Sequence, residues 1–250
     1  MRKSYFRKKL LNKMNKKTEL MIALDYAHAD QALQLVAQLK PLPVIYKIGL
    51  ELFLSTGPLL VKTLVDHGHR IFLDLKFYDI PNTVAKASIQ AMEMGVEFFT
   101  LHISGGKNMS QSTLENLKRS SIKKKPMALG VSVLTSFDEE TFKEVALCFG
   151  QPTLNTEKSV SLLAKNASEW GLPGIVCSAH ELSLIKKDYP NLYTVVPGIR
   201  PKNSDSQDQA RIVTPAEAKN RGASAIVVGR PITQSQFPLK TVESILSEIQ

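Results

Sequence analysis

Eight short apolar runs, each followed by a longer amphipathic stretch, constrain the fold of this 250-residue chain more than any other feature. They predict strands at Leu20–Asp25, Val44–Leu50, Arg70–Lys76, Phe98–Ile103, Ala128–Leu134, Gly174–Ser178, Tyr193–Pro197 and Ala225–Val228. Each run is nearly continuous in apolar residues, the pattern of strands covered on both faces in a parallel sheet. The intervening segments carry the helical period; in Asp30–Leu39, for example, Ala32, Leu33, Val36 and Leu39 form one stripe. Eight strand–helix units without a compositional break predict a single (β/α)8 barrel over residues 21–250. A doubly wound open sheet is the alternative, because periodicity alone does not show closure.

The net charge of +9 is not spread over this domain. Arg2, Lys3, Arg7, Lys8, Lys9, Lys13, Lys16 and Lys17 face a single acid, Glu19, so residues 1–20 carry +7 and the remaining 230 residues +2. A basic segment of this kind can touch nucleic acid or an anionic membrane. It has no apolar core of a secretory signal, and its adjacent aromatics, Tyr5 and Phe6, make no RNA-module signature. It reads as a solvated N-terminal extension. No apolar run is long enough to cross a bilayer. Cys148 and Cys177 form no CxxC pair and no metal spacing, and both sit among apolar neighbours. They are therefore expected to be buried, inert thiols of a cytoplasmic protein.

In a parallel barrel, functional side chains project from the C-terminal ends of the strands. Those ends carry Asp25, Lys47, Asp74 with Lys76, His102, Thr135, Pro197–Gly198 and Gly229–Arg230. The third is the sharpest. With a side-chain period of two, Asp74 and Lys76 share a face and point into the barrel mouth, and Lys47 on the neighbouring strand ends at a similar height. An isolated Asp-x-Lys on a strand is usually a structural ion pair. Alternating Lys and Asp in one crowded site can instead hold one another ionised for chemistry. Asp79 follows in the loop before Pro81. At the last strand, Gly229 and Arg230 offer backbone N–H groups and a guanidinium to a phosphate, and the polar segment Arg200–Arg211 reads as a candidate lid.

Several segments carry a family resemblance: IALD (Ile22–Asp25), YKIGLELF (Tyr46–Phe53), DLKFYDIPNT (Asp74–Thr83), SVLTS (Ser132–Ser136), GIVCSAHE (Gly174–Glu181), PGIRP (Pro197–Pro201), DQARIVTP (Asp208–Pro215) and IVVGRPIT (Ile226–Thr233). Together and in this order they resemble the bacterial-type orotidine 5′-phosphate decarboxylases from about Met21 to the C-terminus. The resemblance implies a homodimer that converts orotidine 5′-monophosphate (OMP) to UMP and CO2 in pyrimidine biosynthesis, with no cofactor and no metal. It assigns Lys47, Asp74, Lys76 and Asp79 to the catalytic set, with Lys76 as proton donor and Asp79 reaching into the partner's site. Asp25 and Lys47 would hold ribose hydroxyls, and Thr83 would join Asp79 across the dimer. Thr135, with Ser136, would read the pyrimidine edge. Gln209 and Arg230 would bind the phosphate, with Gly229 supplying backbone and Pro197 lining the site. The segment Thr100–Gly106 departs from the family pattern, and His102 within it is read as structural.

Two rival readings remain. Relatives of the same superfamily act on sugar phosphates with Mg2+, but they carry an acidic metal ligand where this chain has Lys47. A nucleic-acid-binding barrel using the basic extension is the other, and removal of residues 1–20 would separate the two activities.

Overall fold

The computed structural model describes residues 17–151, 153–201 and 213–250. Eight parallel strands close on themselves: β1 (Glu19–Ala23), β2 (Ile45–Gly49), β3 (Arg70–Phe77), β4 (Phe98–His102), β5 (Met127–Val131), β6 (Gly174–Val176), β7 (Tyr193–Val196) and β8 (Ala225–Val228). The last strand pairs with the first, from Glu19↔Ala225 to Ile22↔Val228, and this excludes the open sheet.

Side-chain alternation divides the apolar residues into two cores. Met21, Ala23, Ile45, Phe72, Phe98, Leu129, Val195 and Val227 fill the barrel, where Phe98 stacks on Tyr193 at 5.6 Å between ring centres. Leu20, Ile22, Ile48, Leu73, Phe99 and Ile226 face outward and pack under the surrounding helices. A further layer closes the N-terminal end. There Arg70 Nη1 meets Glu19 Oε1 at 2.6 Å, Nη2 meets Glu97 Oε1 at 2.6 Å, and Nε donates to Glu97 Oε2 at 2.8 Å. The Tyr193 hydroxyl donates to the second oxygen of Glu19 at 2.5 Å.

Several sequence expectations need correction. In the helix Ala29–Leu39 the buried residues are Ala32, Leu35, Val36 and Leu39, while Leu33 is 38 % exposed. At about 100° per residue, Leu33 lies at the margin of the arc centred on Ala32 and Leu39, whereas Leu35 falls within it. Cys177 is buried as expected, but Cys148 is exposed. Its helix, Glu139–Cys148, buries Phe142 and Ala146, and Cys148 lies on the turn's outer side with its thiol donating to Glu144 O at 3.3 Å. The barrel also begins earlier than its predicted start: Glu19 opens β1, and the Thr18 hydroxyl donates to Ala223 O at 2.8 Å. Residues 1–16 and most of the Arg200–Arg211 segment lie outside the described residues, though its stems are joined by Arg200 N–H donating to Val213 O at 3.1 Å. Among the described residues no helix is long and apolar enough to cross a membrane.

Candidate active site

At the C-terminal mouth, β1, β2 and β3 deliver a continuous chain of alternating charge. Lys47 Nζ stands 3.1 Å from Asp25 Oδ1 and 3.8 Å from Asp74 Oδ2, and Lys76 Nζ stands 3.0 Å from the same Asp74 oxygen. The two central groups are well covered, with side chains 12 % exposed for Lys47 and 13 % for Asp74. Lys76 at 34 % and Asp25 at 58 % open toward solvent. Two positive and two negative charges compensate one another, so the cluster is neutral overall and each ion is held close to an opposite one.

The expected shared face of Asp74 and Lys76 is present, but a regular strand does not produce it. The ladder between β3 and β4 shifts between Leu73 and Phe77, and Lys76 has φ 49°, the one positive value among the described non-glycine residues. Such a conformation is held only where surrounding contacts over-determine it. Here Lys76 N–H donates to Thr100 Oγ1 at 2.8 Å, and Thr100 Oγ1 donates to Asp74 Oδ1 at 3.0 Å.

His102 ends β4 beside this chain, with its ring 5.4 Å from that of Tyr78. Burial pushes its pKa below the ordinary histidine value, and the Lys76 ammonium adds to this while Asp74 opposes it. Asp79 takes no part in this charge chain. It is exposed, and its Oδ1 accepts from the Ile80 N–H at 2.6 Å. Thr83 is exposed in the first turn of the helix Pro81–Glu93. Thr135 and Ser136 lie exposed in the turn after β5, and Pro197 is half-buried just beyond β7. Gly198, with φ 76°, makes the following turn that glycine adopts without strain. Gly229 ends β8 and Arg230 opens the short helix Arg230–Thr233 with its side chain exposed. Gln209 lies outside the described residues. Among the described residues no group of three or more His, Cys, Asp or Glu side chains is placed to hold a metal ion.

The chain that builds this closed barrel has relatives. A family model described as "Orotidine 5′-phosphate decarboxylase / HUMPS family" matches residues 18–245. The chain belongs to that family. It is 44 % identical to the orotidine 5′-phosphate decarboxylase of Legionella pneumophila strain Corby over 232 residues, covering 92 % of this chain and 99 % of the relative. The enzyme of the same name from Pseudomonas fluorescens strain SBW25 is 43 % identical, with 93 % and 97 % covered. The crystal structure of orotidine 5′-phosphate decarboxylase from Lactobacillus acidophilus is similar with a TM-score of 0.81 at 34 % identity, covering 93 % and 99 % of the two chains. The curated relatives are thus carboxy-lyases matched over almost their whole length.

Within this decarboxylase-family barrel, two further residues, to which the sequence motifs assign no role, shape the charge chain. Thr100 bridges the backbone of Lys76 to the carboxylate of Asp74; its one sequence signal is a hydroxyl two residues after the inward-facing Phe98, in an otherwise apolar stretch of β4. Gly49 is the other. A Cβ there would stand 3.2 Å from Lys47 Nζ and 3.8 Å from Asp25 Oδ1, so a side chain would crowd the ion pair. Gly229 has a similar place opposite, where a Cβ would lie 3.4 Å from Asp25 Oδ2.

Proposed function

We propose that the protein decarboxylates OMP to UMP and CO2, the last step of de novo UMP synthesis, without a cofactor and as a cytoplasmic enzyme. The observation that carries this reading is the Lys47–Asp74–Lys76 cluster, in which both ammonium groups converge on one oxygen of the covered Asp74. The C6–carboxylate bond of OMP breaks, the electron pair stays on C6, and CO2 leaves. The Lys76 ammonium donates its proton to C6 and recovers one from water. Asp74 lies beside the substrate carboxylate and disfavours it. Two like charges 4 Å apart repel by about 4 kcal/mol at an effective dielectric near 20. Enzymes lower barriers by roughly 8–23 kcal/mol, so repulsion is the smaller part. Stabilisation of the developing carbanion by a pre-placed Lys76, with binding energy drawn from the distant phosphate, supplies the larger.

In this reading Asp25 and Lys47 hold ribose hydroxyls, and Thr135 with Ser136 reads the pyrimidine edge. Arg230, Gln209 and the Gly229 backbone bind the phosphate, and Pro197 lines the site. The test is loss of OMP absorbance on adding purified protein in EDTA. Turnover is expected. Inertness toward OMP, with activity on a sugar phosphate once Mg2+ is added, would overturn the substrate assignment. The position of Lys47 disfavours that outcome, because its ammonium fills the space between two carboxylates where a divalent cation would bind.

The same reading makes the protein a homodimer in which Asp79 and Thr83 complete the partner's site. Exposed Tyr78 and Ile80, which flank Asp79 in that loop, supply apolar surface for such an interface. Mixing two inactive variants, Asp79→Ala and Lys76→Ala, after reversible dissociation should restore activity to roughly a quarter of wild type, since half the two-fold dimers regain one intact site. Absence of any recovery counts against a shared site.

A further inference from the structure

We propose that Thr100 is a positioning residue for the reaction: its hydroxyl fixes both the Lys76 backbone and the Asp74 carboxylate in the geometry the decarboxylation requires. The inference rests on the decarboxylase reading for its kinetic consequence, though not for its geometry.

The relevant geometry begins with the sheet. Leu73 pairs with Phe99, but Phe77 pairs with Leu101, so the step from Leu73 to Phe77 on β3 is matched by the shorter step from Phe99 to Leu101 on β4. The excess chain is taken up at Asp74, Leu75 and Lys76, and Lys76 enters the left-handed region with φ 49°. Thr100 lies opposite the irregularity, 1 % exposed. Its oxygen accepts the Lys76 N–H at 2.8 Å and so takes the place of the ladder bond that the irregular backbone cannot make. A buried N–H left without an acceptor would oppose this conformation.

The donor inventory then fixes direction. A threonine hydroxyl has one hydrogen. Because the Lys76 N–H is itself a donor, that hydrogen is free for Asp74 Oδ1, 3.0 Å away. With Oδ1 occupied by Thr100, Oδ2 is presented to Lys76 at 3.0 Å and to Lys47 at 3.8 Å. One side chain therefore sets where the proton donor leaves the strand and how its counter-ion is turned. Reacting groups displaced by even an ångström lose much of their rate advantage. The hydroxyl makes no direct claim on the substrate, and so its loss should act on turnover far more than on binding.

The test compares Thr100→Val, which keeps the branched shape and removes the hydroxyl, with Thr100→Ser, which keeps the hydroxyl. Thr100→Val should lower kcat roughly 10- to 100-fold, the loss expected for a hydrogen bond to a charged group. The dissociation constant for UMP, which lacks the scissile carboxylate, should stay near the wild-type value, and Thr100→Ser should recover most of the rate. A crystal structure of Thr100→Val should show Lys76 leaving its positive φ, or Asp74 turned so that the Lys76 pair lengthens. A lowered melting temperature with kcat intact, a serine variant no better than valine, or an unchanged Lys76–Asp74 geometry would each overturn the proposal. If wild-type protein leaves OMP untouched, the decarboxylase reading fails, and the crystal structure alone decides whether Thr100 positions the pair.

Discussion

The two ends of the barrel carry charge on the same strands and use it differently. At the N-terminal end, β1 and β3 supply Glu19 and Arg70, joined by Glu97 and the Tyr193 hydroxyl in contacts of 2.5–2.8 Å. A planar guanidinium grips Glu97 through two nitrogens and Glu19 through a third. Burial and the neighbouring Glu19 carboxylate push the Tyr193 hydroxyl well above its ordinary pKa, so it stays a donor. At the C-terminal end the same two strands lead into Asp25, Asp74 and Lys76, joined by Lys47 in looser contacts of 3.0–3.8 Å. Arginine keeps its proton under all ordinary conditions, whereas a lysine ammonium can surrender one. The arginine end is thus suited to closure, while in the proposed reaction the lysine end supplies the proton. The difference lies in the kind of cation, not in how much charge each end holds.

The largest expected effect comes from exchanging the cations. Lys76→Arg keeps the charge near Asp74 but removes the transferable proton, and Lys76→Ala removes both. Each should lower kcat by roughly 10²- to 10⁴-fold, the range of general acid catalysis, while UMP binding changes much less. Equal losses of kcat and affinity in Lys76→Ala would remove the proton-donor role and with it the contrast between the ends.

A smaller effect, on stability instead of rate, is expected at the opposite end. Arg70→Ala leaves Glu19 and Glu97 facing one another without their cation. Removing one partner of a buried ion pair typically costs about 3–5 kcal/mol, but the Arg70 side chain is 38 % exposed and solvent screening reduces this to about 1–3 kcal/mol. At roughly 2–4 °C per kcal/mol for a domain of this size, thermal unfolding should move down by several degrees. The kcat of the folded protein should stay within a few-fold of wild type. A large loss of kcat at temperatures where the variant remains folded would show that the two ends are coupled.

The smallest effect concerns His102. Its folded-state pKa is depressed by burial and by Lys76, so between that value and about 6.5 the unfolded chain binds the extra proton and stability rises with pH. Above the ordinary histidine value this contribution is flat. Urea unfolding of wild type and His102→Asn from about pH 5 to pH 8 isolates it, because the carboxylates common to both proteins cancel. The variant should lose less stability on acidification; parallel curves would mean that His102 titrates as it does in the unfolded chain.

Much of the architecture is legible in the amino-acid sequence. All eight strands lie where apolar runs place them, since strands covered on both faces need apolar residues almost throughout. Asp25, Lys47, Asp74 and Lys76 stand out as a group because charges at the ends of such runs are exceptional. Leu33 and Cys148 mislead for a related reason: local apolarity does not reveal which side of a helix meets the barrel. The boundary at residue 20 also shifts, because Glu19 reads as one acid in a basic stretch until its partner Arg70 is known. A deletion meant to remove only the extension should therefore stop short of Thr18.

The sequence by itself determined the unit repeat, the covered strands and the charged residues at their ends, because these depend on local period and composition. The tertiary structure decided closure of β1 on β8, and hence that residues far apart in the chain share one mouth. It also decided the irregular end of β3, where Lys76 takes a positive φ under the hydroxyl of Thr100. That arrangement arises from the register between two strands, and register is a relation between segments that no single segment encodes.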